Sequence, residues 1–263
     1  MRNVFLPPAA PACANLIPMR AHAKLLRPLV WLALLGAAAT AGCSAWKLRE
    51  AGQLARASEP FQAQPAKAAA SLLVVGDSTA VGTGASSAER SLVGLIARAH
   101  PDWAIANRAR DGAKFADIAQ QLRDAGKHDL VLVLGGGNDV IRLTPRDVLE
   151  REVTLTLQRA SAAAPRVIVM PAGNVGNAPF FFAPWSWWMT TRARALHAVV
   201  RDAAQDSGAT YVSLFKEHAD DPFAQRPHAL HAADGLHPSD EGYALWLSEL
   251  NAHGLRALGL LPP

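Results

Sequence analysis

Residues 71–78 read Ser71-Leu72-Leu73-Val74-Val75-Gly76-Asp77-Ser78. The apolar run in the middle has no polar alternation, as expected of a strand buried on both faces in a parallel sheet covered by helices. Gly76 ends the run, and two residues suited to a turn or a helix start follow it. A second run of the same kind spans 130–134 and leads into Gly136-Gly137-Asn138-Asp139. Shorter strand-like stretches lie at 104–107, 167–170 and 210–212, with helix-period segments between them. Short apolar runs alternating with helices are the mark of βαβ units, so the reading is an α/β domain with a parallel sheet.

Two helices carry their own boundary signals. Thr144-Pro145 reads as an N-cap followed by proline at the first helical position, and Leu149, Val153 and Leu157 then share one face before Pro165. The last helix is expected to begin near Pro238 and Ser239, with Asp240 and Glu241 suited to its N-terminus and Tyr243, Leu247 and Leu250 facing the core.

The ends of the chain's organisation are set by composition. Residues 29–41, LVWLALLGAAATA, form an apolar run of signal-peptide length behind Arg20, Lys24 and Arg27. Thr40-Ala41-Gly42-Cys43 resembles a bacterial lipobox, which makes Cys43 a lipidation candidate; cleavage after Ala41 is the alternative. Met19 opens a signal of conventional proportions and is a candidate for the true start. The expected organisation is a signal peptide at 1–43, a tether at 44–70 rich in Ala, Gln and Lys, and a catalytic domain at 71–263. Such a leader implies export to the bacterial cell envelope, as a periplasmic protein or a membrane-anchored lipoprotein, with the lipid or the leader as the membrane contact.

Four of the 26 basic residues and none of the 22 acidic ones lie in the leader, so the remaining chain is neutral. The net charge of +4 therefore gives no reason to expect a nucleic-acid partner. Both cysteines, Cys13 and Cys43, fall in the leader, which leaves the domain without an internal disulfide.

In open α/β sheets the functional crevice lies at the carboxyl ends of the strands, and the chemistry-bearing residues cluster there. Gly76-Asp77-Ser78 follows the first strand; alone it reads as readily as a serine N-cap in a turn. Asp234-Gly235-Leu236-His237-Pro238 precedes the last helix, and its three-residue spacing can set a carboxylate beside an imidazole, giving a base and its orienting group in one loop. Taken alone it is equally a turn leading into a helix. Gly136-Gly137-Asn138-Asp139 and Asn107-Arg108-Ala109-Arg110-Asp111-Gly112 offer backbone N–H groups and an amide of the kind that stabilises an oxyanion, or simply two turns.

In order and placement these four pieces resemble the SGNH hydrolase superfamily, the GDSL esterases and lipases, whose blocks are GDS, a loop glycine, GxND and DxxH. The resemblance spans roughly residues 72–250. It implies a flavodoxin-like three-layer α/β/α sandwich with a five-stranded parallel sheet. It also implies Ser78 as nucleophile, His237 as base, Asp234 as its orienting acid, and an oxyanion hole from the Ser78 and Gly112 N–H groups and the Asn138 side chain. The expected reaction is cleavage of a small-molecule ester without a cofactor; export and the aromatic stretch at 180–188 favour short to medium acyl or lysophospholipid-like esters, with O-acetyl groups on envelope glycans as the rival. Thr79 stands where the family name has Leu.

Other readings fit less well. Gly82-Thr83-Gly84 lacks the third glycine of a dinucleotide fingerprint, and no GK[ST] follows. A silent binding protein of the same fold has no need of Ser78, Asp234 and His237 together. His197, His228 and His231 have no carboxylate arranged as His237 has, and no metal-ligand spacing occurs. Between the fourth strand and the next helix, Phe180, Phe181, Phe182, Trp185, Trp187 and Trp188 crowd one stretch. Phe181, Phe182, Trp185 and Trp187 are candidate walls of an acyl groove; a hydrophobic plug over the neighbouring helix and a membrane-interface contact are the alternatives.

Overall fold

The five apolar runs form a single parallel sheet: β1 (Ala70–Gly76), β2 (Trp103–Asn107), β3 (Leu130–Gly135), β4 (Arg166–Pro171) and β5 (Thr210–Tyr211), each within a residue of its expected bounds. This computed structural model describes Trp31, Trp46, Lys47 and residues 49–261. The strand order is β2-β1-β3-β4-β5, the flavodoxin-like order, whose switch point falls between β1 and β3. In chain order the longer helices and the two turns at the site are α1 (Ser78–Val81), α2 (Leu92–Ala99), α3 (Phe115–Gln121), α4 (Gly137–Ile141), α5 (Arg146–Ala163), α6 (Trp185–Ser207) and α7 (Asp240–Leu250).

Successive strand residues point to opposite faces, and the two faces carry separate cores. Leu72, Val74, Leu132 and Ile168 pack with Leu92, Ile96, Tyr243 and Leu250 of α2 and α7. Leu73, Val75, Val131 and Val133 pack with Phe115, Ile118, Leu157 and Leu196 of α3, α5 and α6. Helices therefore cover both sides, giving the three-layer α/β/α sandwich. The sheet needs them, since β3 is buried along its whole length.

Three expectations change. Helix α5 starts at Arg146, with Pro145 at the N-cap and no side-chain cap, because Thr144 is held by the preceding turn through its N–H on the Asp139 carbonyl (2.9 Å). The aromatic stretch is not one loop: Trp185, Trp187 and Trp188 belong to the first turns of α6. The described part of the expected tether packs on the domain. Residues 49–57 are helical, Ala63 bridges Ile105 on the free edge of β2, and Phe61 packs on the α2/α7 core. The compact unit accordingly begins at Trp46. The leader calls, Cys13, Met19 and Cys43 among them, lie outside the described residues.

Candidate active site

The end of β1 is shaped so that Ser78 is presented rather than used as a cap. A Cβ on Gly76 would lie 2.1 Å from the Leu134 carbonyl oxygen, so only glycine lets β1 end this close to β3. Gln121 brackets that glycine, accepting from its N–H (2.7 Å) and donating to its carbonyl (2.9 Å). Asp77, not Ser78, caps α1: its Oδ1 accepts from the Thr79 N–H (2.9 Å) and the Thr79 hydroxyl (2.7 Å). The second of these bonds is special to threonine, which stands where the family name has leucine. Ser78 then occupies the first helical position with its hydroxyl free, 2.9 Å from Nε2 of His237.

The loop that supplies His237 is closed on itself. The Ala232 N–H donates to the His237 carbonyl (2.8 Å) and the Ser239 N–H to the Leu230 carbonyl (2.9 Å), while Gly235, at φ +68°, makes the turn between them. Asp234 sits inside this turn, fully buried. Its Oδ1 accepts from the N–H groups of Leu236 (2.9 Å) and His237 (3.1 Å), and its Oδ2 lies 2.6 Å from His237 Nδ1. Burial pushes this carboxyl up, but the His237 hydrogen bond and charge, with the two backbone N–H groups, outweigh it and hold the carboxyl below its usual value. An ionised Asp234 can only accept, so Nδ1 carries the proton and Nε2 presents its lone pair to the Ser78 hydroxyl.

Gly84 is a residue that motif reading passed over. It has φ +96°, and a Cβ there would stand 2.9 Å from the His237 Cβ and 2.5 Å from the Pro238 carbonyl oxygen. The close packing of the first loop against the histidine loop depends on it. Its only signal in the sequence is a second glycine shortly after Gly82.

Asp77 is buried beside the nucleophile, and burial raises its carboxyl to about 6 despite the opposing Thr79 bonds and His237 charge; Asp139 adds to the rise. Asp139 is itself raised by burial and accepts from the Phe115 N–H (3.0 Å), fixing α4 to α3.

Ser78, Gly112, Asn138 and His237 line one cavity of about 210 Å³. Gly112 turns at φ +74°, and among the described residues the Ser78 and Gly112 N–H groups make no backbone hydrogen bond. Donors from the ends of β1, β2 and β3 thus reach the cavity. Its other walls are largely apolar, among them Ile141, Val175, Leu214, Phe223 and Trp246, and Ala55 joins them from the N-terminal helix.

The four aromatics expected to form an acyl groove do not line this cavity. Phe181 packs on the α3/α5/α6 core, whereas Phe182, Trp185 and Trp187 remain 51%, 51% and 70% exposed. The wall is built instead by residues after β4 and β5 and on α7, scattered singly through the chain. Of the other histidines, His228 is exposed and His231 lines the cavity with Nδ1–H donating to the Pro227 carbonyl (3.1 Å). His197 is a core residue. Its Nε2–H donates to the Ala172 carbonyl (2.7 Å), its Nδ1 accepts from the Tyr211 hydroxyl (2.6 Å), and burial pushes it down to about 4. Among the described residues no group of three His, Cys, Asp or Glu is arranged to hold a metal ion.

The model of the GDSL-like Lipase/Acylhydrolase family matches residues 74–245, a span that includes every site residue above except Ala55 and Trp246. No curated protein matches the chain. Similar solved structures include an extracellular lipase from Streptomyces rimosus, 18% identical, covering 70% of this chain and 100% of that one with a TM-score of 0.54. A psychrotrophic esterase from Pseudoalteromonas sp. is 17% identical over 72% of this chain and 98% of its own, with a TM-score of 0.55. An acetylxylan esterase from Geobacillus stearothermophilus is 19% identical over 73% and 97%, with a TM-score of 0.53. At these identities the likeness is one of fold.

Proposed function

Because the chain belongs to the GDSL-like lipase/acylhydrolase family, and is thereby an ester hydrolase, we propose that it cleaves carboxylic esters through an acyl-Ser78 intermediate. The reading rests on one observation: a buried Asp234 carboxylate 2.6 Å from His237 Nδ1, with Nε2 of the same ring 2.9 Å from the Ser78 hydroxyl. His237 takes the hydroxyl proton as the oxygen attacks the ester carbonyl, and Asp234 stabilises the imidazolium that results. The developing oxyanion is met by the Ser78 and Gly112 N–H groups and the Asn138 amide. His237 returns its proton to the departing alcohol, and a water activated by the same ring then releases the acid.

The apolar walls of the cavity favour an acyl group of short to medium length, as in simple acyl esters or lysophospholipid-like substrates, over the acetyl group of an envelope glycan. The leader and the exposed aromatics of α6 fit a protein exported to the envelope and held at a membrane surface, through Cys43 if it is lipidated.

The test is a panel of p-nitrophenyl esters from acetate to palmitate, run beside lysophosphatidylcholine and an acetylated glycan, on the native chain and on Ser78→Ala. Turnover should peak on butyrate to decanoate and fall about a million-fold in Ser78→Ala. Near-normal hydrolysis by Ser78→Ala would overturn the mechanism, and an acetate-only profile would replace the acyl substrate with the glycan.

A further inference from the structure

The stretch before β1 crosses the mouth of the site. Positions 50, 51, 52, 54 and 55 are half-buried, while 49, 53, 56 and 57 are exposed; this is one face of a helix laid on a surface. Both ends are fastened to loops of the crevice. At one end Gln62 donates to the Asn107 carbonyl (2.7 Å) and accepts from the Asn107 N–H (2.9 Å), at the carboxyl end of β2. At the other, Lys47 Nζ donates to the Pro179 carbonyl (2.6 Å) and lies 5.9 Å from the centre of the Phe180 ring. Phe180 in turn donates its N–H to the Gly235 carbonyl (2.9 Å), inside the loop that carries Asp234 and His237. The helix therefore spans from the edge strand to the histidine loop, and between its fastenings Ala55 lines the same cavity as Ser78 and His237.

Of the docked face only Ala55 lines the cavity, so the helix closes that side with little side-chain filling. Any larger group at position 55 would project into space that the substrate needs. Its acidic member, Glu50, has Oε2 buried with no partner among the described residues.

We propose that residues 49–57 form a wall of the substrate cavity and that Ala55 is a specificity-determining position, its small side chain leaving room for the longer acyl groups. The inference rests on the reading of Ser78 as an acyl-accepting nucleophile. It adds that a segment outside the span matched by the family sets which acyl groups enter.

Two measurements on the full chain test it. In Ala55→Trp the ratio of kcat/KM for p-nitrophenyl decanoate to that for the acetate should fall about tenfold or more, since filling an apolar pocket discriminates on that scale; an unchanged ratio overturns the proposal. Should Ala55→Trp not fold, Ala55→Cys serves. Its maleimide labelling, read on the peptide containing residue 55, should slow about tenfold after a decyl fluorophosphonate has reacted at Ser78, because a thiol must be reached to react. Gln53→Cys, on the exposed face, should keep its rate. Equal labelling of Ala55→Cys before and after the reaction overturns the helix as a wall. Failure of the fluorophosphonate to react at Ser78 instead overturns the nucleophile reading, so the two failures are told apart.

Discussion

Two neighbouring regions depart from the usual partition of residues in opposite ways: the loop ends around Ser78 bury charge, and the stretch from Phe180 to Trp188 exposes large apolar rings. Asp77, Asp139 and Asp234 are 2%, 2% and 0% exposed, yet each is met by named donors, among them Thr79, Phe115 and His237. Phe182, Trp185, Trp187 and Trp188 are 42% to 70% exposed. Buried charge is costly unless paired, so the first region is held to one arrangement by its own hydrogen bonds. The second is under no such constraint, and its adjacency to the site through the Phe180 N–H on Gly235 does not bring its rings into the cavity.

The first way to sharpen the contrast is to remove a donor from the converging loops. Asn138 follows β3 and lines the cavity with Ser78 and His237, on α4, whose short turn is fixed by Asp139. Asn138→Ala should lower kcat by roughly 10²–10³ with a smaller change in KM, as expected when a donor acts on the oxyanion more than on the bound ester. Steady-state kinetics on p-nitrophenyl butyrate checks it. A change confined to KM would mean that Asn138 holds the substrate and not the transition state.

The contrast also explains which parts were legible in the sequence. Runs such as 72–75 and 130–134 announce themselves because a strand buried on both faces tolerates little else, and the strand ends then locate Ser78, Asn138 and His237 to a common edge. Pairwise contacts made by residues without distinctive chemistry stay silent. Gln121 clasping Gly76, Gly84 against His237, and Ala55 over the cavity depend on tertiary approach, and an amide, a glycine or an alanine gives no hint of its partner. The 49–57 helix is silent for a related reason. Its docked face carries Glu50 and two alanines beside a single Leu54, so no apolar period marks it. The aromatic stretch misleads in the opposite sense: ring content signals that something apolar is near, but not which side of the backbone faces the substrate.

A second test asks what the buried charge costs. The carboxyl of Asp77 is raised to about 6 in the fold, against about 3.9 in an unfolded chain. Between those values the folded protein keeps a proton that the unfolded chain has lost, so stability falls as pH rises through about 4 to 6, and the full penalty persists above. Asp77→Asn removes the charge and leaves an oxygen to accept from Thr79. By urea denaturation it should be more stable than the native chain by about 2 kcal/mol at pH 8, with the difference largely gone at pH 4. An equal difference at both pH values would show that Asp77 acts through packing and not through its charge.

The smallest effect belongs to the exposed aromatics, and it is the one that most directly separates the two regions. Trp187 is 70% exposed and Trp185 51%; their rings lie outside the cavity, and α6 is anchored further along by Met189, Ala193 and Leu196. Removing either ring deletes neither a core contact nor a cavity wall. Trp185→Ser and Trp187→Ser should each change stability by no more than about 0.5 kcal/mol and leave kcat/KM on soluble p-nitrophenyl butyrate and decanoate within about twofold, as surface substitutions do. If decanoate hydrolysis fell about tenfold or more while butyrate held, the rings would be touching the acyl chain after all. The comparison would then fail at its central point, because the same stretch would be exposed in the free protein and part of the site in the complex.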